Sequence, residues 1–253
     1  MMEAAPSSPN EPRFRIAVVP AYNEAATIVE VLEELTRKVD EVYVIDDGST
    51  DATRALVEEW RAHHASVRFL SFDDNRGQSA ALQLAFGDLR RRLSAGELGP
   101  DDVVITVDAD GQHDLSALDG LWSTMTRGNF DAVIARRDLK QYPVLKRVGN
   151  AAMSWWARLW AGTPLRDVES GYRLFRLGAL DDALCYYVGY RYTEAVEVAV
   201  ILCRLGYRVN NDYLVPVPVL RSRTRIMDAV RDLVVMPRAR WRTRRRLRQG
   251  ASV

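Results

Sequence analysis

The chain of 253 residues predicts an α/β protein with a mostly parallel sheet covered by helices on both faces. Three observations carry that expectation. Short apolar runs of strand length recur along the first half of the chain. Segments with apolar residues at helical spacing separate them. Clusters of Asp, Asn, Glu and Gly, rather than hairpin turns, follow three of the runs.

The elements follow in order. Arg15 to Pro20 is apolar and ends in proline, the pattern of a buried parallel strand. Ile28, Val31, Leu32 and Leu35 then form one face of a helix. Val42 to Ile45 is a second strand, stopped by Asp46-Asp47-Gly48-Ser49-Thr50-Asp51, and a helix through Ala55, Leu56 and Trp60 follows. Val67 to Phe72 is a third strand; Ser79 to Leu93 is a helix with Ala81, Leu82, Ala85, Phe86 and Leu89 as its apolar stripe. Val103 to Val107 is a fourth strand, stopped by Asp108-Ala109-Asp110, before a helix at Leu115 to Met125 and a strand at Ala132 to Ala135. Beyond it the rhythm changes. An aromatic-rich helix spans Pro143 to Ala161, a polar turn runs Asp167 to Arg173 into a short strand and helix, a further helix covers Thr193 to Leu205, and Val209 to Val219 is extended.

In such sheets ligands bind beyond the carboxyl ends of the strands. Tyr22-Asn23-Glu24, Asp46-Asp47 and Asp108-Ala109-Asp110 all stand directly after strands, so one spatial site is the economical expectation. The expected organisation is a polar leader over 1–12, one catalytic domain over 13–220, and a basic amphipathic tail over 221–253.

Composition narrows the class. Hydrophobic residues make up 47% and charged residues 27%, the balance of an ordinary globular protein, and no run approaches the ~20 apolar residues of a membrane span. Cys185 and Cys203 match no metal-ligand spacing and read as small buried apolar residues. The net charge of +1 conceals an asymmetry: eleven arginines and two aspartates from Arg221 to Val253 give +9, leaving −8 on the remainder. A basic tail on an acidic body suits a polyanionic partner, or serves solubility alone. No base-reading module accompanies the arginines, so nucleic acid is not the expected partner.

Two carboxylates at i and i+2, leaving a strand into a glycine turn, can place one group on a metal ion and the other on a ribose or metal water. A hard cation such as Mg²⁺ takes one or two carboxylates plus phosphate oxygens. Taken alone, Asp108-Ala109-Asp110 reads by default as a solvated turn. Asp46-Asp47 suits the hydroxyl and N–H groups of a ribose or base, whereas Ser49 or Asp51 can simply cap the next helix.

The ordered set is far more specific. Pro20-Ala21-Tyr22-Asn23-Glu24, Asp46-Asp47-Gly48-Ser49-Thr50-Asp51, Asn75-Arg76-Gly77, Asp108-Ala109-Asp110-Gly111-Gln112-His113 and Ser170-Gly171-Tyr172-Arg173, in that order, resemble the family 2 glycosyltransferases, in particular the branch of dolichol- and polyprenol-phosphate sugar synthases. The resemblance implies a Rossmann-like GT-A fold with a mostly parallel mixed sheet, a GDP- or UDP-hexose donor, Mg²⁺ or Mn²⁺, and inversion at the anomeric carbon. It implies that Pro20, Tyr22, Glu24, Asp46, Asp47 and Asp108 lie around the donor, that Asp108 and Asp110 are the metal and diphosphate pair, and that Gln112 lies beside the sugar. Asp167, Ser170 and Arg173 then shape the sugar and acceptor end. Relatives often carry lysine where this chain has Gln78, which puts a charge contact at that turn in question.

For a phosphate acceptor, Arg136, Arg137, Lys140, Lys146 and Arg147 follow a strand, and Arg221 and Arg225 follow the last extended segment. Arginine's planar fork suits phosphate. A phosphate with its second pKa near 6 is already ionised and needs no general base, whereas a hydroxyl acceptor needs one, from Asp167 or Glu169. His113 has three open roles: metal ligand, phosphate contact or structural hydrogen bond. Trp155, Trp156 and Trp160 fit a core or a membrane interface. Apolar residues at 226, 230, 233 and 234 mark a helix face, broken at Pro237 and followed by a polybasic run that suits an anionic membrane surface.

The leading expectation is therefore hexose transfer from a nucleotide sugar to a polyprenyl phosphate by a peripheral enzyme at the cytoplasmic face of the membrane. The alternatives are a hydroxyl acceptor (glycolipid, polysaccharide or small molecule) and a non-catalytic membrane-associated partner protein.

Overall fold

A computed structural model of the chain describes residues 12–188, 194–216 and 236–243. Residues 1–11 of the expected leader, Arg221, Arg225 and the apolar face at 226–234 lie outside the described residues.

Seven strands form one sheet in the order β3-β2-β1-β4-β7-β5-β8. These are β1 (Arg15–Ala21), β2 (Glu41–Asp47), β3 (Val67–Phe72), β4 (Val103–Thr106), β5 (Ala132–Ile134), β7 (Arg173–Arg176) and β8 (Val209–Asn210). A separate pair joins β6 (Arg136–Arg137) to β9 (Leu214–Val215). All pairings are parallel except those of β7, which runs antiparallel between β4 and β5. A single reversed strand inside a parallel sheet is the mixed arrangement expected.

Helices α1 (Ile28–Thr36), α2 (Thr53–His63), α3 (Gln78–Ser94), α4 (Leu118–Gly128), α5 (Val144–Ala161), α6 (Leu177–Leu184) and α7 (Glu194–Leu205) cover the sheet. Alternation along the strands feeds two cores. Ile16, Val18, Tyr43, Ile45 and Val104 face α3, α5, α6 and α7. Ala17, Val19, Val42, Val44 and Ile105 face α1 and α4. Both faces of the central strands are apolar because both are covered by helix.

Two boundaries differ from expectation. The helix expected from Leu115 begins as a 3₁₀ turn, Leu115–Ala117, with Asp114 accepting a hydrogen bond from the Ser116 amide, and becomes α-helical at Leu118. At the C-terminal end, 236–243 is helical, and Pro237 lies in its first turn, where a missing N–H costs little. This segment packs on the body: Met236, Ala239 and Thr243 are buried, and Arg242 pairs with the buried Glu197 of α7.

Candidate active site

The strand order reverses between β1 and β4, which places their carboxyl ends side by side, the crevice where α/β sheets bind ligands. The loops after β1, β2 and β4 and the turn before β7 converge there.

The first loop is stitched to the second. Asn23 is left-handed, and its Oδ1 accepts from the Thr50 and Asp51 amides at 2.8 and 3.3 Å, while its own amide donates to Ser49 Oγ. The Glu24 amide donates to Thr53 Oγ1. Ser49, Thr50 and Asp51, the last three residues of the Asp46–Asp51 cluster, thus tie the two loops together just ahead of α2. Tyr22, at the tip of the first loop, is exposed.

Asp46 and Asp47 are buried, and each carboxylate is hydrogen-bonded within the protein. Asp46 accepts from the Ser49 amide and from Arg54 Nε at 2.9 Å. Asp47 accepts from the Arg76 and Gly77 amides, each at 2.8 Å. A buried carboxylate must be hydrogen-bonded, and the neighbouring backbone supplies the donors. Asp47 therefore fixes the Asn75-Arg76-Gly77 turn. Burial pushes its carboxyl above the ordinary range, against those two amides.

Asp108 and Asp110 leave the end of β4 half-buried. Asp108 Oδ1 accepts from Gln78 Nε2 at 2.8 Å. Asp110 accepts from both the amide and the side chain of Gln112, at 3.1 and 2.6 Å. The position where relatives often carry lysine thus does contact the acid pair, through a neutral amide. Gly171 lies so close that a Cβ there would stand 2.8 Å from Asp108 Oδ2. Thr27 Oγ1 donates to the Ala109 carbonyl at 2.7 Å and pins the loop from the start of α1.

His113 forms the floor of this cluster, with its side chain largely covered. Its Nδ1 accepts from the Asp108 amide at 3.1 Å, its Nε2 is 3.4 Å from Asp108 Oδ2, and its ring stacks on Tyr172. Of the three roles left open for it, the structural hydrogen bond is the one this geometry displays. Burial lowers its pKa, opposed by Asp108 and Asp110, and the charges of Arg137 and Arg173 lower it further. All four groups are therefore within electrostatic reach of one ring.

Asp167 and Arg137 are held by each other. The Arg137 guanidinium donates two bonds to Asp167, at 2.9 and 2.8 Å, and its amide a third at 2.9 Å. Asp167 is buried, and Glu169 stands 3.8 Å from the same guanidinium. The pairing engages both Asp167 oxygens and one side of the Arg137 guanidinium. Glu169 is different: burial raises its carboxyl pKa, with Arg137 opposing. Arg173 is buried on β7 and donates to the Ser170 carbonyl at 2.5 Å.

Beside this pair opens a cavity of about 690 Å³, whose lining includes Arg136, Arg137, Lys140, Arg147 and Arg166 together with Val144, Val148 and Leu214. The short β6–β9 pair places Arg136 and Arg137 at its wall. Among the described residues no three His, Cys, Asp or Glu side chains form a metal-binding group. Asp108 and Asp110 nevertheless fit a hard cation that phosphate oxygens complete. Both are accessible oxygen donors, and the two glutamines orient them without adding positive charge. Sequence reasoning did not single out Thr27, Arg54 or Gly171 individually; only Gly171 left a signal, as part of a motif.

A mixed sheet with this order, carrying acid pairs at the ends of β2 and β4, defines the GT-A class of glycosyltransferases. The chain belongs to glycosyl transferase family 2, whose profile matches residues 16–169. It is 29% identical over 204 residues to undecaprenyl-phosphate mannosyltransferase of Micrococcus luteus, covering 77% of this chain and 79% of that one. It is 28% identical over 181 residues to UDP-N-acetylglucosamine–dolichyl-phosphate N-acetylglucosaminyltransferase of Methanococcus voltae, covering 64% and 69%. Its fold matches the Mycobacterium tuberculosis glucosyl-3-phosphoglycerate synthase solved with Mn²⁺, UDP and phosphoglyceric acid, with a TM-score of 0.61, 21% identity, and coverage of 91% and 79%. The protein is thus a glycosyltransferase with polyprenyl-phosphate sugar transferases among its relatives. Among the described residues no helix is long and apolar enough to cross a membrane.

Proposed function

We propose that the enzyme transfers a hexose, with inversion, from a GDP- or UDP-sugar to a polyprenyl phosphate, acting peripherally at the cytoplasmic face of a membrane. The observation that carries this reading is the cavity beside Asp167. It combines cationic side chains with apolar ones, the two halves of a lipid phosphate. Among the described residues the guanidinium groups of Arg136 and Arg147 have no ion-pair partner, so both are available to an acceptor phosphate. Arg221, beyond the described residues, is proposed as a third. The relatives named for lipid-phosphate acceptors support the same choice.

In this reading Pro20, Tyr22 and Glu24 line the donor base and ribose, and Asp46 and Asp47 hold the loops that form that surface. A divalent cation, Mg²⁺ or Mn²⁺, held by Asp110 with Asp108, would neutralise the diphosphate leaving group. Gln112 keeps the Asp110 carboxylate aimed at the diphosphate end of the site, and Arg173 with the Asp167–Arg137 pair walls the sugar end. Arg136 and Arg147 hold the acceptor phosphate opposite the leaving group. Because that phosphate is ionised at neutral pH, catalysis consists of alignment and charge stabilisation, with no proton to remove.

A hydroxyl acceptor is the second reading, and one observation favours it: the raised pKa of Glu169 suits a general base. The test is nucleoside diphosphate release from a panel of nucleotide sugars with Mg²⁺ or Mn²⁺, with and without a short polyprenyl phosphate. Release that needs the lipid phosphate, disappears in Asp110→Ala and survives in Glu169→Gln supports the first reading. Release that needs a hydroxyl acceptor and disappears in Glu169→Gln establishes the second. Absence of donor binding would remove both.

A further inference from the structure

The outer face of α5 is apolar along its whole length. Val144, Val148, Trp155 and Leu159 are 71%, 59%, 60% and 46% exposed, and all four fall within about 60° of one another at ~100° per residue. Ala151 and Ala152 are exposed within the same stripe. The opposite face is used conventionally: Met153, Ala157 and Ala161 are buried in the core, with α7 packed against the helix. A folded domain rarely leaves one helix with a buried face and a second, exposed apolar stripe unless something covers the latter.

Charge identifies the cover. The helix contains Lys146, Arg147 and Arg158 and no acidic residue. Arg240, from 236–243, donates to the Leu159 carbonyl at 3.2 Å and brings another cation to that end. The chain's own undescribed segment 217–235 carries four arginines against two aspartates, so its charge opposes this face. A second copy of the chain would set two such cationic helices against each other. An anionic bilayer complements both the apolar stripe and its basic flanks, and tryptophan is favoured at that depth.

We propose that α5 is a membrane-docking helix that lies in the headgroup region of an anionic bilayer through Val148, Trp155 and Leu159. The cavity begins on the same helix, since Val144, Arg147 and Val148 contribute to its wall. Docking through α5 therefore sets the mouth of the cavity at the bilayer surface. This last consequence rests on the lipid-phosphate reading; the docking itself does not.

The experiment uses the full chain with phosphatidylcholine vesicles, with and without phosphatidylglycerol, and with neither donor nor polyprenyl phosphate present. Wild type is expected to sediment with the anionic vesicles and not with the neutral ones. Trp155→Ser/Leu159→Ser, two changes at exposed positions outside the cavity, is expected to weaken that partitioning about tenfold or more. Trp155→Phe/Leu159→Met should restore it, which a purely electrostatic tail would not require. Equal partitioning of wild type and the serine variant overturns the proposal. So does failure of wild type to bind while the serine variant loses thermal stability, which would mean that the chain's own residues cover the face. Loss of a dimer in the serine variant by sedimentation equilibrium would assign the face to a second copy and equally overturn it. Because the assay contains no substrate, an incorrect acceptor assignment would appear only in the product-release assay and leave this result standing.

Discussion

Replacing Gly171 with alanine tests whether the position of the Asp108 carboxylate matters to the reaction. The added Cβ would stand 2.8 Å from Asp108 Oδ2 and 3.2 Å from its Cγ, whereas ordinary contacts begin near 3.4 Å. The carboxylate must therefore retreat by about 0.6 Å. Gly171 does not have a left-handed φ, so alanine adds no backbone strain. The atom in the way is the end of a flexible side chain, and the expected stability loss is below about 1 kcal/mol. A displacement of ~1 Å in a reacting constellation costs roughly 100-fold, so the expected fall in kcat is on the order of tenfold to 100-fold. The assay pairs product-release kinetics with thermal unfolding. Gly48→Ala is the contrasting control: its Cβ would stand 2.5 Å from the Asp74 backbone carbon at a φ of +71°, so that variant should lose stability first. A Gly171→Ala enzyme with unchanged stability, unchanged kcat and unchanged divalent-ion dependence would refute a catalytic placement of Asp108.

Three further outcomes follow from the same geometry. Asp47→Asn can accept from only one of the Arg76 and Gly77 amides, so urea unfolding should show a loss of about 1–3 kcal/mol. Burial raises the Asp47 carboxyl pKa, so the folded state holds that proton more tightly than the unfolded chain. Its contribution to stability must then fall as pH rises from the ordinary value of 3.8 through the raised one, and the gap between wild type and Asp47→Asn should narrow over that window. Arg242→Ala removes one of the partners of the buried Glu197 carboxylate, which keeps the Val188 amide, and should cost about 1–3 kcal/mol by denaturant unfolding, rescued in part by adding Glu197→Gln. Finally, the exposed Cys185 should react with a thiol reagent in the native protein, while Cys203, whose thiol pKa is pushed up by burial, should react only on unfolding.

Much of the molecule was legible in the chain. The apolar runs and helical stripes gave the alternating elements, because burial on both faces of a parallel sheet demands continuous apolar strands. The strand-end clusters pointed to one candidate site, and their loops do converge, because βαβ connections deliver consecutive loops to one edge. Which partners each carboxylate meets was decided only in three dimensions. Asp46-Asp47 and Asp108-Ala109-Asp110 look alike as text, yet the first pair is buried on the protein's own donors and the second stands half-exposed, oriented by Gln78 and Gln112. Asp167 and Arg137 are 30 residues apart and were separate candidates; the turn before β7 brings them into one ion pair and leaves Glu169 with the raised pKa. The arginine-rich C-terminal run reads as a basic tail for a polyanionic surface or for solubility, because charge dominates its composition, but Met236, Ala239 and Thr243 find buried places and Glu197 receives Arg242. The periodicity of α5 predicts a helix and cannot say which apolar face is covered, because that depends on where α7 lies. Sequence sets what each residue can pair with; long-range packing sets which partner it meets, since burial leaves a polar group no choice but the donor or acceptor beside it.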